Sequence, residues 1–378
     1  MKNKKEKWMF ICFLAIVIVP AIVIGLIDAD LDPFFHYHKP YTDKYFYRLD
    51  NERSQNYGII TRFDYDAVIT GTSMTQNFKS SKLDSLFGTH SIKVPFSGAS
   101  YMEVDESIAL ALGTHPEVKM VVRGLDMNML MLDKDRTAAD PQTYPQYLYD
   151  DNVINDIKYV LNRDVFWSRS LPMLLERATG YSSQPYSSSQ PAKVISNAKT
   201  FKPGITSFDD YQSWGDKFAS GFDVVCPNGI SSPATLKSVH LSEKTKKKVI
   251  ANVQQNICDL ANAFPNVDFY YFFTPYSAVW WRDLVDDGTI YQQVEAEQAA
   301  IEEILKCSNI KLFSFNTMSD ITTNLDNYIE PKHYTAYVND LILDFMKEGT
   351  GLLTSDNYQS YLDAELSLYK NLDYLALH

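Results

Sequence analysis

Tyr65-Asp66-Ala67-Val68-Ile69-Thr70-Gly71-Thr72-Ser73-Met74-Thr75 decides how the rest of the chain is read. Its first half is a short apolar run, the mark of a buried strand. Its second half is polar and leads into a helix-compatible stretch ending near Phe87. A serine at the carboxyl end of a strand, flanked by a glycine and a threonine, is where an α/β fold presents a nucleophile. Serine in such a turn also serves as an ordinary helix N-cap, so Ser73 needs partners before it means chemistry. The strongest candidates lie far downstream, in Tyr328-Ile329-Glu330-Pro331-Lys332-His333-Tyr334.

Working outward from Ser73, short apolar runs alternate with helical patterns. Strands are expected at about 66–71, 91–96, 118–123, 267–273 and 310–315. Helices are expected at 101–112, 242–263, 291–307 and 336–346, and an amphipathic segment at 355–369. That alternation predicts an α/β fold, a three-layer flavodoxin-like sandwich with a parallel sheet of about five strands. The pattern breaks at 134–240, read as an insertion with helices near 151–162 and 165–178 and a Ser/Pro-rich loop over 181–191. The expected plan is an anchor over 1–30, a juxtamembrane segment over 31–63, the core domain over 64–353 and a helical segment over 354–378.

In a parallel sheet all strand ends of one sense share an edge, so distant polar residues converge there. The ends offer Gly71 and Ser73, then Gly98, then Asp126 and Asn128, then Glu330 and His333. Acyl transfer needs a nucleophile, a base and donors for the oxyanion. A serine needs histidine within hydrogen-bond reach, and the histidine needs an acceptor on its other nitrogen. The expectation is that Ser73 attacks, His333 takes its proton and Glu330 orients His333. Gly98 lets a backbone N–H approach a bound carbonyl closely.

The N-terminus sets the compartment. Lys2, Lys4, Lys5 and Lys7 precede Trp8–Ile27, twenty residues without a formal charge. At ~1.5 Å per residue such a helix spans a ~30 Å hydrocarbon core. The lysines are expected on the cytoplasmic side and the acidic residues from Asp28 to Asp32 outside. No Ala-x-Ala cleavage site follows the run, so a retained anchor is preferred to a cleaved signal peptide. Setting aside those four lysines and Glu6 leaves 31 basic and 46 acidic residues, a net charge of −15. So acidic a domain is not expected to hug an anionic membrane surface electrostatically, and the whole chain's net charge of −12 argues against nucleic acid as a partner.

The chain has 378 residues, 45% hydrophobic and 13% aromatic, enough for a large packed core. Cys226, Cys258 and Cys307 show no CxxC pair and are read as structural thiols. His36 and His38 lack zinc-site spacing, and no metal or organic cofactor is expected. The 25 tyrosines are read as core and half-buried residues, and Trp280 and Trp281 as core or rim rather than a sugar cleft.

Gly71-Thr72-Ser73 after a strand, Gly98 after the next and Glu330-x-x-His333 before the last core helix resemble the SGNH (GDSL-type) hydrolases. The layout, with one N-terminal anchor, Asp32-Pro33-Phe34 and Thr274-Pro275-Tyr276, is similar to membrane-anchored bacterial members distantly related to the D-alanyl-lipoteichoic acid biosynthesis protein D family. The resemblance covers 60–130 and 265–348 best and the insertion not at all. It implies Ser73 as nucleophile and first oxyanion donor, Gly98 as second donor and His333 as base. The chain departs from the family at three places. Gly-Thr-Ser replaces Gly-Asp-Ser, Glu-x-x-His replaces Asp-x-x-His, and Gly124-Leu125-Asp126-Met127-Asn128 stands where Gly-x-Asn-Asp belongs. Asn128 is the candidate third donor, with Asp126, or neither of the two, as the alternatives.

The expected function is an extracytoplasmic serine esterase or O-acyltransferase. Its expected substrates are acetyl- or D-alanyl-type groups on cell-envelope polysaccharide or teichoic acid, with a membrane acyltransferase as a candidate partner. The alternative is a non-catalytic envelope-assembly or binding protein of the same fold.

Overall fold

Five apolar runs pair into one parallel sheet, in the order β2-β1-β3-β4-β5. The strands are β1 (Ala67–Gly71), β2 (Ser91–Pro95), β3 (Met120–Leu125), β4 (Asp268–Phe273) and β5 (Ile310–Ser314). The structure is a computed structural model that describes residues 2–41, 44, 45, 47–137, 145–150, 152–179, 207–209, 211–215, 217–234 and 238–377. Every residue of β1, β2 and β3 is buried, as strands covered on both faces require. The helices Ser80–Phe87 and Ala336–Glu348 pack together as one covering layer. Tyr101–Thr114, Glu243–Val253 and Ile290–Ile304 belong to the other.

The strand order has a functional consequence. From β1 the chain crosses to β2 on one side, and β3 then pairs with β1 on the other. The connections therefore diverge at the carboxyl ends of β1 and β3, the crevice where open α/β sheets bind ligands. Ser73 follows one of those strands and Asp126 the other.

Several boundaries differ from the sequence expectation. β3 lies two residues later, because Val118 N–H closes a turn onto His115 and Gly124 and Leu125 still pair with Phe272 and Phe273. After Ser73 there is first a 3-10 turn, Ser73–Thr75, and a helix only from Ser80. Between them Asn77 is buried, its Oδ1 accepting from Ser213 Oγ and from the Trp214 and Gly215 N–H groups. The helix expected over 242–263 is interrupted by a π turn at Gln254–Cys258. Ala278–Asp286 is an unexpected helix. It seats Trp281 in the core, stacked on Tyr369 at 4.4 Å, while Trp280 is half-buried against Tyr276.

The described chain forms two compact units, Asp64–Asp140 with Ser207–His378 and Met1–Phe63 with Pro141–Thr206. The first holds the sheet. The second begins with one helix, Lys2–Leu31, long and apolar enough to cross a membrane. Past it, Asp32 is buried and its carboxylate accepts from the His36, Tyr37 and His38 N–H groups and the Tyr159 hydroxyl. A further helix, Glu52–Arg62, was not expected; a Cβ at its Gly58 would lie 2.3 Å from the Phe34 carbonyl oxygen. Of the helices expected in 134–240, the first is reduced to Ile157–Val160. The second is continuous from Arg163 to Thr179 through a π turn at Phe166–Ser170. The Ser/Pro-rich stretch 181–191 lies outside the described residues.

Candidate active site

The turn that carries Ser73 is built from β1 outward. Gly71 ends the strand at φ +146°, and a Cβ there would meet Thr75 Cγ2 at 2.7 Å and the Gly124 nitrogen of β3 at 3.3 Å. Only glycine lets the chain turn this tightly against its neighbour strand. Thr72 then caps the 3-10 turn, its Oγ1 accepting from Met74 N–H. Ser73 is left half-buried at the lip of the sheet.

His333 reaches that serine across 260 residues of sequence: Ser73 Oγ and His333 Nε2 are 2.7 Å apart. His333 Nδ1 lies 2.6 Å from Glu330 Oε1. The same oxygen accepts from the Lys332 N–H at 3.0 Å and from the His333 N–H. Burial raises the Glu330 pKa, but the hydrogen bonds from the His333 ring and backbone outweigh it and hold Glu330 below the ordinary value. The acceptor is thus an anion near neutral pH, and the imidazole keeps its proton on Nδ1, leaving Nε2 free to take one from Ser73.

The loop carrying His333 is clamped. Tyr328 and Tyr334 face each other in an antiparallel bridge, and both are fully buried. Pro331 O accepts from both the N–H and the hydroxyl of Ser277, and Tyr328 donates to Pro275 O at 2.9 Å. From the other side Asn339 Nδ2 donates to Met74 O, tying the last core helix to the turn that carries Ser73.

The third strand end is where the structure adds most. Asp126 does not face the cleft. It is buried, accepting from Thr72 Oγ1 at 2.5 Å, Tyr276 OH at 2.9 Å and Thr274 Oγ1 at 3.4 Å. Burial raises its pKa, against the lowering effect of those donors. Asp126 is therefore turned inward, onto Thr72, Thr274 and Tyr276. Asn128 is exposed, and its Oδ1 is 3.1 Å from the same Tyr276 hydroxyl. The single Tyr276 proton lies between Asp126 Oδ1 and Asn128 Oδ1, so it does not by itself fix which end of the Asn128 amide faces it.

Gly98 is exposed at φ +68° in a turn closed by Ala99 N–H to Phe96 O. Among the described residues the backbone N–H groups of Ser73 and Gly98 have no protein acceptor. Two backbone donors that follow β1 and β2 are thus left unspent on the fold, the kind of group an oxyanion site uses.

Thr72, Thr274, Tyr276 and Ser277 were not assigned roles from sequence. The available signal was that Thr274-Pro275-Tyr276-Ser277 ends β4 with three hydroxyls in four residues. All four side chains are buried.

No family model and no curated protein matches the chain. A solved structure from Streptococcus pneumonia, provisionally described as a platelet activating factor, is similar over 87% of this chain and 99% of its own, at 8% identity and a TM-score of 0.39. A likeness at that level carries no argument about chemistry, which rests on the geometry above.

Proposed function

We propose that this chain is an extracytoplasmic, membrane-anchored serine esterase or O-acyltransferase of SGNH type. Its substrates are acetyl- or D-alanyl-type esters on cell-envelope polysaccharide or teichoic acid. The carrying observation is the relay Ser73 Oγ–His333 Nε2 at 2.7 Å and His333 Nδ1–Glu330 Oε1 at 2.6 Å.

Ser73 Oγ attacks the acyl carbonyl while its proton passes to His333 Nε2. The carbonyl oxygen becomes an oxyanion, received by the N–H groups of Ser73 and Gly98 and the Asn128 amide. Collapse expels the sugar or polyol oxygen, which takes the proton from His333 and leaves acyl-Ser73. Water, or the hydroxyl of a second acceptor, then attacks with His333 again as base, which yields hydrolysis or transfer. Glu330 stabilises the imidazolium that forms in both halves. The exposed apolar helix that opens the chain supports the location, since it would hold the domain at the surface where such polymers are made.

The test is turnover of p-nitrophenyl acetate by the detergent-solubilised full chain. Wild type should turn over, and Ser73→Ala and His333→Ala should fall to the rate of buffer. A folded wild type with no more turnover than Ser73→Ala overturns the enzymatic reading and leaves a binding or assembly protein.

A further inference from the structure

The apolar helix ends against a segment whose outer face is itself apolar. Val153, Ile154, Ile157, Leu161 and Trp167 are 77%, 82%, 58%, 43% and 61% exposed. Apart from Trp8–Leu26 they are the densest run of exposed large apolar side chains among the described residues. Their inner neighbours are ordinary core: Tyr159 and Val165 pack with Phe34 and Leu148. Ile157 and Leu161, four apart, share the face opposite Tyr159.

The position of this face along the anchor says what covers it. A Cβ at Gly25 would lie 3.3 Å from Leu161 Cδ2 and 3.8 Å from Val160 Cγ2. The turn Phe166–Ser170, which carries Trp167, also packs on that helix. Gly25 lies two residues before the uncharged run ends at Ile27, so Leu161 packs on the helix about 3 Å short of the end of that run. The placement is rigid, because the Tyr159 hydroxyl donates to Asp32 Oδ1 at 2.8 Å and accepts from Phe34 N–H at 3.1 Å just past the anchor. Exposed charges beside the patch include the acids Asp150 and Asp164 and the cations Lys158 and Arg163. Both cations have long stems that keep the charge at the headgroups while apolar neighbours go deeper. Tryptophan belongs at that same level.

We propose that Val153, Ile154, Ile157, Leu161 and Trp167 form a membrane-immersed foot. It dips into the outer leaflet beside the anchor and fixes the orientation of its unit on the bilayer. The proposal rests on the anchor reading above.

The test uses the full chain with its native cysteines replaced by alanine and one cysteine introduced by Ile154→Cys, Ile157→Cys or, in the anchor, Ile16→Cys. All three positions are exposed, so the fold tolerates the change. Each variant carries an environment-sensitive fluorophore in phosphatidylcholine–phosphatidylglycerol vesicles. It is quenched separately by nitroxide lipids and by aqueous iodide. The expected result is loss of fluorescence to nitroxide lipid, and shielding from iodide, at 154 and 157 as at 16. Quenching at 16 with 154 and 157 open to iodide overturns the foot and leaves the anchor standing. No nitroxide quenching at 16 overturns the anchor reading and the foot with it. Shielding of 154 and 157 from both quenchers means a protein covers the face and also overturns the proposal.

Discussion

Replacing Glu330 with glutamine separates the charge of the relay from its geometry. Glu330 Oε1 takes three donors, of which the Lys332 and His333 N–H groups are backbone and cannot turn away. A glutamine must therefore keep its carbonyl oxygen in place, and His333 keeps its Nδ1 proton. What is lost is the negative charge beside the imidazolium. A hydrogen bond to a charged group contributes about 1.5–3 kcal/mol and a neutral one about 0.5–1.5, so the loss is about 1–2 kcal/mol. That corresponds to a fall of roughly 5- to 30-fold in rate. The Glu330 side chain is 39% exposed, so solvent screening places the expected value at the lower end, about tenfold. Glu330→Ala removes the acceptor as well and frees the tautomer, so its loss should be on the order of 10³-fold or more. The assay is kcat on p-nitrophenyl acetate, with thermal melts to show that each variant is folded. A Glu330→Gln rate within about twofold of wild type, or Glu330→Ala no slower than Glu330→Gln, refutes the reasoning.

Two further substitutions test the scaffold. Lys93 is buried and its amine donates to the carbonyls of Gln76, Phe78 and Asp209 at 2.5, 2.8 and 2.9 Å. Lys93→Met should cost about 3 kcal/mol in a urea melt, because those carbonyls lose a charged donor; an unchanged melt contradicts that. Glu297 and Glu365 are buried side by side, with Gln293 donating to Glu297 and Asn316 to Glu365. Burial pushes Glu297 up to about 7 and Glu365 well above its ordinary range. The stability that a protonated Glu297 gives is full below its ordinary 4.5 and is lost as pH rises through about 7. Melting temperature should therefore fall from about pH 5 to about pH 8, and Glu297→Gln should flatten that slope; an unaltered slope in the variant counts against a protonated Glu297.

The sheet was legible because buried parallel strands are continuous apolar runs, and β1, β4 and β5 begin within two residues of where those runs predict. That Ser73, Glu330 and His333 meet was legible because residues following strands of one parallel sheet share an edge. Asp126 was not, since the spacing says nothing about whether a carboxylate turns toward the cleft or back toward Thr72 and Tyr276. The helix Glu52–Arg62 was hidden for a related reason. It buries Gln55 and Asn56 on the same face as Ile59 and Ile60, with Gly58 under a carbonyl, so half of its inward face is polar and the hydrophobic period is lost. The foot was hidden because nothing in the sequence around Ile154 and Ile157 says that this segment packs beside the helix Lys2–Leu31.

The central claim is that Ser73 is a nucleophile activated by His333. Its most direct test is treatment of the folded full chain with a fluorophosphonate probe, followed by mass spectrometry of the peptide that carries Ser73. The account predicts one adduct on Ser73 Oγ, absent from Ser73→Ala and strongly slowed in His333→Ala. A folded protein left unlabelled, or labelled elsewhere with Ser73 untouched, would contradict it.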